Sequence, residues 1–435
     1  MPDMSALAQT ANWLFRPLAF MANAQKQLGD VFGVRVLGWA KLVLVSDPSL
    51  VREIFSADPE TLKAGEANDL MGPLLGRHSV FLLDGAEHRQ IRRVLVNAYN
   101  LETARRAADF SRRRAVEIVG ERCDGRLYDV HRIFGEIALA TMLESLFRSS
   151  ERWMVADYYR HFRFILGNAS AVLAYLRFLQ KDFGPATPGW WFRVSMRSLH
   201  RAIERDLTQA CVSHPKGPAQ EISEGLHQLN LPDADAVARD QIISLIVAGH
   251  DTVASALSWC LFGLLQRSDI IDALREELDG LNPSSDLAAI EKMPLLEATC
   301  LEALRLTPTV EIVSRRATRD LRIGQYLISR GDLLSPCVYL LHRRPSLYSN
   351  PTEFRPERFL DRQFAPHEFI PFGGGMRRCL GATLGLLEMK AVIATLVMNF
   401  DIHVPRLDSV RPRRRNVTIA PSPFRAIFSL RPKAK

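Results

Sequence analysis

Cys379 is the residue of this chain best placed to do chemistry. It stands in Phe372-Gly373-Gly374-Gly375-Met376-Arg377-Arg378-Cys379-Leu380-Gly381, a glycine-rich loop that runs straight into an apolar helical segment. Flanking arginines and the amides of a helix start both stabilise a thiolate. The glycines remove side chains, so that a flat, bulky group can lie close to the backbone. On the loop alone a buried structural cysteine beside a turn stays open, although such a cysteine needs no glycine cage and no basic flank. Cys123, Cys211, Cys260, Cys300 and Cys337 share no spacing, which argues against a disulfide framework and a Cys-x-x-Cys zinc site.

A second constellation, Ala248-Gly249-His250-Asp251-Thr252, interrupts the apolar run 242–265. A helix this apolar does not carry Gly-His-Asp-Thr without a reason. Gly249 would let a flat cofactor or a small gas approach the helix. Thr252 can turn its hydroxyl to the carbonyl four residues back. Asp251 and Thr252 together offer an acid and an alcohol, the pair needed to pass protons. The plainer reading is a kinked helix with a satisfied polar cluster. His250, about 100° round the helix from each neighbour, points away from Gly249 and Thr252 and reads as structural. Glu302 and Arg305 lie one turn apart. Alone, such a pair is a surface contact worth about 0.2–0.5 kcal/mol, but here an apolar helix carries it and Pro308 follows. His88 and Arg92 share a face after Asp84-Gly85, and by themselves they read as a solvated basic surface.

The elements that must position these groups are mostly helical. Alternation over 31–45 about Gly38-Trp39 predicts a hairpin, and Asp47-Pro48 opens a helix over 49–56. Helical patterning runs from 87 to about 305, with breaks near Asn100, Asp124, Ser149, 184–189 and 214–218, and 226–232 reads as a loop. Short strands follow to about 336, with Gly324 and Gly331 at turns. An irregular stretch over 345–371, a helix over 380–400 and strands over 401–432 complete the chain. The β-rich parts (28–65, 307–340, 401–432) are too small to stand alone. The expectation is therefore a mainly α protein with small β-sheets, one interwoven domain over 1–435.

The cysteine loop resembles the haem-ligand loop of the cytochrome P450 family, Phe-Gly-x-Gly-x-Arg-x-Cys-x-Gly, with Phe372, Gly373, Gly375, Arg377, Cys379 and Gly381 at its fixed positions. The resemblance extends, in order, through His88/Arg92, Ala-Gly-x-Asp-Thr at 248–252, Glu302/Arg305, Pro356-Glu357-Arg358-Phe359 and the loop. It implies the haem-thiolate fold, haem b (iron protoporphyrin IX) as cofactor and Cys379 as the metal ligand, whose electron donation favours O–O cleavage. It further implies that Ala248 and Gly249 border the cofactor and that Asp251 and Thr252 deliver protons. His88, Arg92, Arg315 and Arg377 would bind the two haem carboxylates. Glu302, Arg305 and Arg358 would form a structural staple behind the loop. Pocket-lining residues by resemblance are Leu70, Leu74, Phe81, Val247, Ala248, Val310, Ile312 and Phe424, an apolar set that suits a terpenoid, a steroid-like molecule or a fatty acid. Glu311 departs from that set and is expected to point outward.

The implied activity is a monooxygenase that hydroxylates a hydrophobic small molecule with O2. The chain has no nicotinamide or flavin fingerprint and no iron–sulfur cysteine set, so electrons are expected from a separate ferredoxin and ferredoxin reductase. A peroxide-driven hydroxylase or isomerase on the same fold, and a non-enzymatic haem sensor, are the rivals; the intact Asp251–Thr252 pair argues against both. With 47% apolar and 24% charged residues the chain reads as soluble. The apolar flavour of 6–22 is interrupted by Asn12 and Arg16, so neither membrane anchor nor signal peptide is expected. The run 242–265 is long enough to span a bilayer, but a mid-span acid costs about 2.5–3.5 kcal/mol, which favours a buried helix. A cytoplasmic location follows. The net charge is +8. No nucleic-acid motif accompanies it; most arginines read as solvated helix faces, and Arg377/Arg378 as a docking face for an acidic electron donor.

Overall fold

The computed structural model describes residues 2–165, 184–185, 187–213, 216–281, 287–415 and 417–432. Local signals set the helix starts. Helix α1 (Ala6–Phe15) breaks at Arg16, and Pro17 opens α2 (Pro17–Leu28). Asp47 accepts from the Ser49 and Leu50 amides and caps α3 (Pro48–Ser56), which has Pro48 in its first turn. A short α4 (Gly72–Leu75) precedes α5 (Gly85–Ala98); Asn100 then caps α6 (Leu101–Gly120) and Asp129 caps α7 (Val130–Phe147). Next come α8 (Arg152–Ile165), α9 (Pro188–Ser213) and α10 (Pro218–Gln228). The loop expected over 226–232 starts only after Gln228, because Leu226 is buried below Ile222 and keeps the last turn of α10 wound. The break expected at 214–218 lies partly outside the described residues.

The long α11 (Ala234–Leu264) is buried on nearly every face, which is why its sequence is apolar all round. It packs along α7 and touches α14 (Pro294–Leu306) and α17 (Ala382–Asn399); α12 (Ser268–Glu277) and the one-turn α13 (Leu287–Ile290) also pack on α17. Both α11 and α17 are long and apolar enough to cross a membrane, but most of each is buried inside the protein. The one-turn helices α15 (Val338–Leu341) and α16 (Arg358–Asp361) complete the set.

The sheets join segments far apart in sequence. Strands β1 (Val31–Val34) and β2 (Leu42–Val45) form the expected hairpin. Strand β2 also pairs in parallel with β8 (Leu333–Pro336), in a five-stranded sheet of order β1-β2-β8-β5-β3, where β3 is Leu62–Lys63 and β5 Arg315–Ala317. Strands β6 (Leu321–Ile323) and β7 (Tyr326–Ile328) turn through Gly324. Near the end of the chain, β9 (Phe400–His403) and β12 (Arg425–Leu430) join β4 (Tyr128–Asp129), while β10 (Pro412–Arg415) and β11 (Thr418–Pro421) form a hairpin against α11.

One buried acid has no match in the sequence reading. Glu388, on α17, is fully buried, and neither carboxyl oxygen finds a donor among the described residues. Thr141 on α7 is near, but its hydroxyl already donates to the Ile137 carbonyl at 2.9 Å. Burial pushes the Glu388 carboxyl up to about 8. The unfolded chain therefore releases this proton near its ordinary 4.5 while the folded chain keeps it. Stability falls as pH rises between these values, by at most about 1.4 kcal/mol per unit, and is flat above them. Glu388→Gln should remove that slope and be the more stable protein at pH 8, which urea midpoints at pH 5 and pH 8 will show.

Candidate active site

The cysteine loop is held by its own backbone. The Gly373 amide donates to Ile370 O at 3.0 Å, Arg378 to Gly375 O at 3.1 Å and Cys379 to Phe372 O at 2.9 Å. Gly373 and Gly375 have φ of +66° and +64°, a region that side chains resist. A Cβ at Gly374 would strike the Phe55 ring, and one at Gly375 the Phe55 carbonyl. Those two glycines thus seat the loop on the end of α3 rather than clearing room for a flat group. Only Gly381 has nothing within 4 Å of a Cβ, and at Gly373 the nearest atom is 3.8 Å away.

Cys379 is exposed on one side yet ringed by enough protein that burial pushes its thiol up. The Gly381 amide, Arg92 and Arg378 act the other way, as the loop sequence suggests, but do not win. A bound metal cation would reverse the balance, since a coordinating thiol is deprotonated outright.

Around this thiol the chain gathers more cations than anions. Arg377 donates to the Val80 carbonyl at 3.1 Å, to the Leu83 carbonyl and to Asp84. Asp84 is aimed by the amides of Ala64, Gly65 and Glu66. Arg315 lies over the Phe55 ring at 5.8 Å, donates to Ser314 O and is pushed down to about 10 by burial and by Arg377. Arg92 donates to the Arg378 carbonyl at 2.6 Å, bolting α5 to the loop. His88 is buried and pushed down to about 4 by desolvation, Arg377 and Arg92, so it offers a neutral N–H rather than a charge. Burial and mutual repulsion lower these groups, and Asp84 relieves His88, Arg315 and Arg377 in part, while the Cys379 sulfur relieves Arg92. That donor set, with an open-sided thiol, fits an iron porphyrin with two carboxylates.

Behind the loop, Glu302 is fully buried. It takes Arg305 Nε at 2.6 Å and Nη2 at 2.9 Å, Arg358 Nε at 3.1 Å and the Arg355 amide at 2.8 Å. Further guanidinium hydrogens go to carbonyls of His342, Pro351 and Glu353 from Arg305, and of Ser349 and Asn350 from Arg358. This carboxylate is shared by two arginines inside the protein and is no surface pair.

Helix α11 splits its polar cluster between two faces. Thr252 donates to Ala248 O at 2.5 Å, four residues back, and both residues are half-buried. The Asp251 carboxylate instead points to the β10–β11 hairpin and α7. Thr418 donates to it at 2.6 Å, His131 Nε2 stands 3.6 Å away and Arg415 Nε 3.7 Å. Burial would push this carboxyl up, but His131 and Arg415 hold it well below the usual range. A Cβ at Gly249 would lie inside van der Waals contact of Met142 Sδ on α7. Its missing side chain therefore makes room for a close helix crossing. His250 packs on the Tyr159 and Phe162 rings and is pushed down to about 4 by burial, a structural place.

The expected pocket residues separate. Leu74, Phe81 and Val247 share one apolar cluster with Met142, and Leu70 and Val310 are half-buried. Ile312 bridges to Cys337 and packs on the cluster of Trp13 and Met21. Phe424 is buried beside Trp259 in the helical core, its ring 6.4 Å from Phe262. Glu311 does not point outward. It is buried and paired with Arg414, whose guanidinium covers the Trp13 ring at 5.1 Å. Arg414 is thus no solvated charge, and neither is Arg112, paired with Asp109. His131, Arg415, Thr418, Asp84 and Phe55 escaped sequence reasoning. Only the helix-start pair Asp84-Gly85 and the run Arg413–Arg415 carried any local signal.

Comparison with known proteins agrees with this geometry. The sequence model of the family described as Cytochrome P450 matches residues 9–428. Two similar relatives from Mycobacterium tuberculosis are named Putative cytochrome P450 135B1 (28% identical, covering 97% of this chain and 89% of the relative) and Putative cytochrome P450 135A1 (28%, 92% and 88%). The solved structure of cyanobacterial CYP120A1 with retinoic acid bound superposes with a TM-score of 0.83 at 24% identity, over 97% of this chain and 96% of that one. With the family pattern spanning nearly its whole length, the chain belongs to the cytochrome P450 family, the haem-thiolate monooxygenases.

Proposed function

We propose that this monooxygenase hydroxylates a hydrophobic small molecule of the terpenoid, steroid-like or fatty-acid kind. It would use haem b and draw electrons from a ferredoxin and its reductase in a cytoplasmic setting. The whole chain would act as one interwoven domain, a reading supported by the parallel pairing of β2 with β8. The observation that carries the site assignment is the corner of three guanidiniums, Arg92, Arg315 and Arg377, with the neutral ring of His88 among them, beside the exposed thiol of Cys379. When bound there, haem would supply the redox chemistry of dioxygen.

The residues divide the remaining work. Cys379 would hold the iron, and the guanidiniums would clamp the two carboxylates. Thr252, with its hydroxyl turned to Ala248 O, leaves its oxygen's lone pairs free to accept a hydrogen bond on the half-buried face of α11. Leu74, Phe81 and Val247 would exclude water from the substrate. Arg89, Arg93 and Arg378 are exposed and pair with no carboxylate among the described residues, which suits an acidic donor protein.

Reduced protein saturated with carbon monoxide should show thiolate-type absorption, and candidate lipophiles should shift the resting spin state. A histidine-type band would refute the assignment. The peroxide-driven alternative has one observation behind it, the engagement of Asp251 away from Thr252. Asp251→Asn should lower donor-supported turnover by about 10²-fold and peroxide-supported turnover far less. An equal loss of both would remove Asp251 from proton delivery.

A further inference from the structure

An acid that delivers protons must first hold one, and Asp251 is built not to. Its three partners come from outside α11, so what each can do with a proton decides how the carboxyl is loaded. Arg415 keeps its protons at any operating pH, and the Thr418 hydroxyl does not ionise there. His131, on α7, is the one partner type that gains and loses a proton near neutrality.

The far ring nitrogen settles which protons His131 carries. Its Nδ1 lies 3.3 Å from Ser258 Oγ, while Ser258 donates its only hydrogen to Ala254 O at 2.7 Å. Ser258 Oγ is left as an acceptor, so Nδ1 bears a hydrogen. The near nitrogen, Nε2, faces Asp251 Oδ1 at 3.6 Å. A bare lone pair there would confront a carboxylate in a buried site, and a second proton removes that repulsion. Among the described residues, the other groups around the pair add no rival that exchanges a proton near neutrality. His250 is kept neutral by burial, and Arg415 and Thr418 complete the surroundings from β10 and β11.

We infer that His131 is the proton-holding residue that loads Asp251, an addition that rests on the monooxygenase reading. In the loading step the Nε2–H bond breaks and an O–H bond forms on Asp251 Oδ1. An imidazolium–carboxylate pair becomes a neutral imidazole and a neutral acid, and Ser258 holds the remaining Nδ1–H tautomer. Losing its charge loosens Asp251 from Arg415, so the carboxyl can turn from the hairpin toward the Thr252 face. The Arg415 side chain is 35% exposed although its Nε is buried, so its outer part marks the side from which water would resupply the proton. His131 acts through Asp251 and is a positioning residue.

The test follows the His131 ring signal in histidine-labelled, reduced, carbon-monoxide-saturated protein, which is diamagnetic. His131→Gln assigns the signal by its loss, with His131→Asn as the second choice should the first fail to fold. At pH 7 the parent signal should sit at the imidazolium position. Asp251→Asn should move it to the neutral position, and Thr252→Ala should leave it in place. A signal that Asp251→Asn does not move overturns the proposal. In a second readout, His131→Gln should lower product formed per donated electron pair on the order of tenfold and abolish its decline toward alkaline pH; a pH profile parallel to the parent's also overturns it. The carbon monoxide spectrum of the same sample reports the thiolate by itself, so a wrong ligand and a wrong proton holder fail separately.

Discussion

Cys379→Ser should fold like the parent yet lose the thiolate signature under carbon monoxide, with donor-supported turnover falling on the order of a thousandfold or more. The exchange is nearly isosteric. The backbone contacts that shape the loop, Cys379 N–H to Phe372 O and Arg378 N–H to Gly375 O, do not involve the sulfur. The left-handed glycines 373 and 375, and the seat of Gly374 and Gly375 on Phe55, are untouched. What changes is the donor atom. Burial already pushes the native thiol up, and a serine hydroxyl would be far harder to ionise in the same place. The weak positive pull of Arg92, Arg378 and the Gly381 amide, too small to free a thiolate unaided, is smaller still against an alcohol. Absorption spectra of parent and variant, loaded with equal haem and matched for helicity, are the measurement. An unchanged spectrum would mean that another side chain holds the iron.

Glu302→Ala should cost about 3–5 kcal/mol and leave most of the chain insoluble or without haem. Arg305 is fully buried and Arg358 nearly so, and among the described residues Glu302 is the one carboxylate that hydrogen-bonds them. Truncation leaves two guanidiniums in a site where water cannot screen them, and it also strips the Arg355 amide of its acceptor. Their bonds to the carbonyls of His342, Pro351, Glu353 and Ser349 satisfy hydrogens but not charge. Glu302→Gln should fall between, keeping the shape but losing the charge. Arg305→Lys should also be damaging, because an ammonium cannot reach carboxylate and carbonyls with one planar fork. Urea midpoints and the haem content of the soluble fraction will rank the series. A loss below about 1 kcal/mol for Glu302→Ala would place the cluster in a wetter setting than its burial indicates.

Much of the fold was legible because helix starts and turns are local. Asp47-Pro48, Asn100 and Asp129 each cap a helix within a few residues, and Gly324 and Gly331 take the left-handed turns their type suggests. The cysteine loop was legible for the same reason, since ten consecutive residues contain it. Partners were not. Phe55 reaches Gly374 from more than three hundred residues away, and Glu302 meets Arg358 from another element. Gly249 shows the limit from the other side. Its small size was visible, but only the crossing of Met142 decides what that size is for. Phe424 and Ile312 are apolar, as expected of a pocket, yet packing assigns them to separate cores.

The order of residues by itself determined a thiol in a glycine turn, an acid and an alcohol on one helix, and the caps that start the helices. These depend on neighbours in the chain and on the periods of helix and strand. Tertiary structure alone decided which charge answers which: Arg414 covers Glu311, Arg415 and His131 hold Asp251, and Glu388 is left without a donor among the described residues. The reason is that Coulomb attraction and desolvation act through space and fall off with distance in ångströms. Residues one helix turn apart in sequence can face different partners, as Ala248 and Asp251 do, while Asp84 and Arg377, nearly three hundred residues apart, share a hydrogen bond.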